Sequence, residues 1–136
     1  MMIKDLQKNF TYKNDASQYV IKDAWHIMQK VDGKYIGDCE DYALTALYLL
    51  NNKSMLRFWW SLLNKDGSIE YYKIFNAGHA VLRYKGKRLD NIHNGWIGDS
   101  DKMQYYEYKY DFTFINIAKR MLYAKLHSWI FWQSSR

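Results

Sequence analysis

The sequence predicts an α+β domain, and three observations carry that expectation. Helix-periodic apolar spacing recurs in two stretches between about residues 14 and 50. Strand-like runs separated by turn signals follow, and a last helical pattern closes the chain. Helices followed by a meander of hairpin-joined strands imply N-terminal helices packed on an antiparallel sheet. The 136 residues, 49% of them apolar and 18% aromatic, suit a single domain over 1–136 with a real core.

Residues 1–13 show no sustained period and read as an irregular or extended lead-in. A helix is expected from Asn14 or Asp15, with Ala16, Tyr19, Val20, Ala24, Ile27 and Met28 on one face and Gly33 as its stop. Asp38 reads as the N-cap of a second helix, with Asp41 three residues on as its capping-box partner. Ala43, Leu44, Ala46, Leu47 and Leu50 give that helix a strongly apolar face, and it should end near Asn51. Residues 55–63 read as a strand, with Trp59 and Trp60 pointing to opposite faces. Residues 64–67 read as a turn and 69–75 as the partner strand. A further hairpin is expected from 79–84, through Lys85-Gly86-Lys87, into 88–91. Residues 92–103 read as a glycine-bearing loop whose Trp96 would wall a cleft. A strand follows around 108–115. From Ala118 a helix begins, with Met121, Leu122, Leu126, Trp129 and Ile130 on its packing face.

Composition narrows the function classes. One cysteine excludes an internal disulfide and a multi-cysteine zinc site. His26, His93 and His127 lack metal-ligand spacing. The formal charge of +6 is spread along the chain, and the one cluster (Arg83, Lys85, Lys87, Arg88) brackets a tight turn, where charges are usually just solvated. No specific nucleic-acid partner is expected. The N-terminus has no hydrophobic signal core and no stretch reaches transmembrane length, so the expected address is cytoplasmic and reducing.

The chemistry gathers at Gly37-Asp38-Cys39-Glu40-Asp41-Tyr42-Ala43. A thiol in the first turn of a helix faces unpaired N–H groups and a partial positive charge, both of which favour thiolate. Asp38 and Glu40 oppose that effect, so the cysteine needs a cation. His79 opens one strand of the predicted hairpin and Asp90 lies late on the other, so the two are candidate neighbours on one face. Cys39 would then be the nucleophile, His79 the base and Asp90 the orienting carboxylate. The Cys39 N–H is one candidate oxyanion donor, and Trp25 or Gln29 a second.

These motifs in this order, with Gly78-His79-Ala80-Val81-Leu82 and Leu89-Asp90-Asn91, resemble the bacterial transglutaminase-like cysteine proteinases over roughly residues 20–96. The resemblance implies a papain/transglutaminase-like core, a Cys39-His79-Asp90 triad and an acyl-enzyme formed on a protein or peptide substrate. It also brings in calcium: some members are periplasmic, calcium-dependent proteases of surface adhesins, and the acidic residues flanking the cysteine would here be Asp38 and Glu40. Helix capping is the competing role for that pair. The short, leaderless chain suits a compact phage-encoded or intracellular member. Two alternatives stand beside peptide hydrolysis: acyl transfer from protein glutamine, and a non-catalytic module of the same fold engaging a host protein.

Overall fold

A computed structural model describes residues 2–12, 25–75, 77–90, 95–97 and 106–134. It shows a mixed α+β architecture. Helix α1 (Met2–Asn9) leads into strand β1 (Phe10–Tyr12), which pairs in parallel with β2 (Tyr35–Gly37). Helices α2 (Cys39–Leu50) and α3 (Met55–Leu63) follow. Then come strands β3 (Gly67–Ile74), β4 (Ala77–Tyr84), β5 (Lys87–Asp90), β6 (Gly95–Ile97) and β7 (Tyr106–Asp111), and helix α4 (Phe114–Ser134). The five later strands form one antiparallel sheet in the order β6-β5-β4-β3-β7. None of the described helices is long and apolar enough to cross a membrane.

The expected capping box is present. Asp38 Oδ1 accepts the Asp41 N–H at 3.1 Å, and Asp41 Oδ2 accepts the Asp38 N–H at 3.3 Å. Helix α2 packs across β3, β4 and β5, and its Leu44, Ala46 and Leu47 share a core with Ile69, Ala80, Leu82 and Leu89. Strand alternation and the register Tyr72↔His79 place Ala80 and Leu82 on this helix-packed face and His79 and Val81 on the other.

Several expectations are corrected. Residues 2–9 are helical: Leu6 is fully buried and Ile3 packs on the core, but two turns are too few to display a period. The helix expected through Met28 has no regular secondary structure at 25–30, and its residues 14–24 lie outside the described residues. Gly33 instead forms, with Asp32, a tight turn at positive φ between Val31 and Lys34.

Residues 55–63 form a helix instead of a strand. Ser54 Oγ caps it by accepting the Arg57 N–H at 3.3 Å, and Phe58, Ser61 and Leu62 bury at i, i+3, i+4. A nine-residue apolar run reads as either element until a cap is recognised. Its tryptophans do not straddle a sheet. Trp59 packs edge-on against Phe58 and Phe114, and Trp60 is 62% exposed.

At the C-terminus, the last strand stops at Asp111 and α4 starts at Phe114, four residues earlier than expected. Its buried side is Ile117 with Met121 packed against the core, while Leu122 and Leu126 are exposed. The basic cluster is also only half solvated: Arg88 Nε donates to buried Glu70 Oε1 at 2.7 Å, and Arg83 lies 3.8 Å from Glu70 Oε2.

Gly37 is a close-approach position just before the cysteine motif. A Cβ there would sit 2.6 Å from Met28 Sδ and 2.8 Å from Asp41 Cβ. Gly37→Ala is therefore expected to cost about 2 kcal/mol in a urea unfolding measurement.

Candidate active site

The capping box sets Cys39 as the first residue of α2. Its sulfur meets the sheet where β4 is free of its neighbour: β4–β5 pairing covers Leu82–Tyr84, so the Ala80 N–H lies beyond those pairs and donates to Cys39 Sγ at 3.4 Å. Residues 41 positions apart in sequence are thereby joined, and the residue beside Ala80 is His79.

His79 and Asp90 meet as their hairpin predicts. The two-residue turn at Lys85 and Gly86 fixes the register at Leu82↔Leu89. One further step puts Asp90 opposite Val81, on the face that also carries His79. His79 Nε2 lies 2.6 Å from Asp90 Oδ1, with His79 almost buried and Asp90 fully so. An ionised carboxylate only accepts, so this contact favours the imidazole tautomer with its proton on Nε2 and leaves Nδ1 as the basic nitrogen.

Cys39 is less acidic than its helix position alone implies. Burial pushes the thiol well above its ordinary range, and the nearby charges of Glu40 and Asp38 add to this. The Ala80 N–H pulls the other way. The thiol also lies 3.3 Å from Glu40 Oε2, as a donor to it. Burial and the adjacent Asp38 raise Glu40 itself to about 8.

That value sets a sign. Glu40 holds its proton in the fold well above the pH where an exposed glutamate loses it. Its share of stability is thus full below about pH 4.5 and is lost as pH rises toward about 8. Glu40→Gln is expected to raise the melting temperature relative to wild type, more at about pH 8.5 than at about pH 5. It should also speed Cys39 alkylation at about pH 9, where the wild-type carboxylate is charged.

The Asp38 and Glu40 pair does not make up a calcium shell. Calcium takes six to eight oxygens. Here the Asp38 carboxylate caps the helix, which leaves Glu40 as the other carboxylate of the pair. Among the described residues no group of three or more His, Cys, Asp or Glu side chains gathers as metal ligands. Capping is the role the geometry displays.

The remaining expectations divide. Gln29 is exposed. Trp25 is buried edge-on against Phe112 with Arg120 over its ring, and its Nε1 has no hydrogen-bond partner among the described residues. Trp96 is on strand β6 opposite Leu89, hence on the helix-packed face and not the face of His79 and Asp90. His26 Nδ1 lies 3.1 Å from buried Asp41, and His93 lies outside the described residues.

Sequence reasoning missed Tyr106, whose hydroxyl donates to Asp90 Oδ2 and whose ring stands edge-on to His79, centroids 5.8 Å apart. No local motif marks it within the aromatic-rich stretch 105–110.

No protein-family model matches this chain, and a search of curated proteins finds no match either. The functional reading therefore rests on the site.

Proposed function

We propose that the chain is a cysteine-dependent hydrolase of amide bonds, a peptidase or amidase resembling the transglutaminase-like cysteine proteinases, with a papain/transglutaminase-like core. The observation that carries this reading is the convergence of the Cys39 sulfur on the Ala80 N–H, beside a His79 held by buried Asp90. A structural cysteine needs no such neighbour.

In this mechanism His79, on the face of β4 turned away from α2, meets the sulfur around the β4 edge left free by β5 beside Ala80. Its Nδ1 takes the thiol proton, and the thiolate attacks the acyl carbon of the substrate. Asp90 holds the ring and stabilises its charged form. The Cys39 main-chain N–H, in the first turn of α2 where amides lack helical partners, would donate to the developing oxyanion. The imidazolium then passes its proton to the leaving amine, which departs as the C–N bond breaks and the thioester remains. Water, deprotonated by His79, resolves the thioester to acid and free thiol. An amine in place of water gives acyl transfer by the same steps. The Ala80 N–H supports the sulfur while it is negative.

The test uses p-nitrophenyl acetate, an activated ester that needs no specific substrate pocket. A burst of about one equivalent of nitrophenolate is expected, with acetyl found on Cys39 by peptide mapping, and no burst in Cys39→Ala. No burst and no acetyl on Cys39 in wild type would refute the reading. Added primary amine that speeds deacylation would favour transfer over hydrolysis.

A further inference from the structure

We infer that Tyr106 is a positioning residue for the Asp90–His79 pair, holding the second carboxylate oxygen so that the first stays on the imidazole. This inference rests on the triad reading above, but its contact is open to separate test.

A fully buried carboxylate needs a donor for each oxygen, because an unpaired one costs its whole desolvation. His79 Nε2 meets Oδ1 and the Tyr106 hydroxyl donates to Oδ2. Donors on both oxygens fix the plane of the carboxylate, and that plane fixes the imidazole. The Tyr106 ring is itself fixed, standing edge-on to Tyr72 at 5.6 Å and at 90° to His79. Burial and the Asp90 charge push its hydroxyl far above ordinary phenol values, so it remains a donor throughout the physiological range.

A bulge in the sheet brings Tyr106 to this face. Strands β3 and β7 pair Tyr71↔Tyr110, then Tyr72↔Tyr108, so Lys109 is the extra residue. Without it, Ile74 would face Glu107 and Tyr106 would fall on the opposite face. With it, Ile74 pairs with Tyr106, on the side of Tyr72 and His79. The bulge turns a surface-strand tyrosine into a neighbour of the site.

The test removes one oxygen and keeps the ring. Tyr106→Phe is expected to slow iodoacetamide labelling of Cys39 at about pH 6 roughly tenfold, with a folded circular-dichroism spectrum. In an Asp90→Asn background the same change should have no further effect, because Tyr106 acts through Asp90. In the neutral ring, wild-type ¹⁵N spectra should show the His79 proton on Nε2, and Tyr106→Phe should populate the Nδ1–H tautomer. An unchanged tautomer, or an equal slowing in both backgrounds, would overturn the inference. If wild-type Cys39 proves unreactive at pH 6, the triad reading fails, and the tautomer shift still decides whether Tyr106 positions the pair.

Discussion

His79→Ala is expected to slow alkylation of Cys39 by iodoacetamide at about pH 6 by at least a hundredfold. The physical basis is the balance of charge around the sulfur. At this pH burial and the Asp38 charge raise the thiol, with Glu40 still protonated, while the first turn of α2 and the Ala80 N–H supply only partial positive charge. A full cation is needed to form thiolate near neutrality, and His79 is the one that the β4 backbone places next to Ala80. Labelling is followed by mass spectrometry as a function of pH. A wild-type thiol that reacts only above about pH 8, with or without His79, would be an ordinary buried cysteine and would end the enzymatic reading. Exogenous imidazole restoring the alanine variant would add direct support for a proton-accepting role.

Asp41→Ala is expected to lower stability by about 2 kcal/mol in urea unfolding and to loosen the turn that carries Cys39. Asp41 is fully buried and serves three donors: the Asp38 N–H at 3.3 Å, the His26 N–H at 3.1 Å and His26 Nδ1 at 3.1 Å. Alanine removes this acceptor; the Asp38 N–H is the buried donor that loses it, at about 1–3 kcal/mol, while the His26 side chain is 33% exposed and can turn to water. The same substitution should slow p-nitrophenyl acetate acylation, since α2 loses the contact that ties its first turn to residue 26. Asp41→Asn keeps an acceptor but adds a donor facing donors, so it should fall between wild type and alanine. A change below about 1 kcal/mol for alanine would mean that water satisfies these groups and that Asp41 is not the anchor of the turn.

Much of the site was legible because its parts are local. A capping box spans four residues, so Asp38 and Asp41 announced where α2 begins and hence where Cys39 sits. A short hairpin around Lys85-Gly86-Lys87 makes His79 and Asp90 candidate neighbours on one face; that the turn is two residues long, which sets the register at Leu82↔Leu89, is decided by the fold. Helix α3 reads as a strand in sequence because Met55 to Leu63 is apolar nearly throughout, and only the cap at Ser54 distinguishes helix from strand. Helix α1 was missed because eight residues hold too few turns for a period to emerge.

Other features have no local signature. Arg83 and Arg88 looked like solvated turn charges, yet the register of β3, β4 and β5 sets both against buried Glu70. Tyr106 gains its place from a bulge in a strand pair joined across more than thirty residues. Trp96 fell to the helix-packed face through the same alternation that gave Asp90 to the other.

The sequence by itself determined the α+β class and the start of α2 and made His79 and Asp90 candidate neighbours, because each follows from hydrogen bonds or periodicities a few residues long. Tertiary structure alone decided how acidic Cys39 is, what supports Asp90 and which arginines are solvated. Those properties depend on burial and on charges brought together from distant segments, and desolvation has no one-dimensional pattern to read.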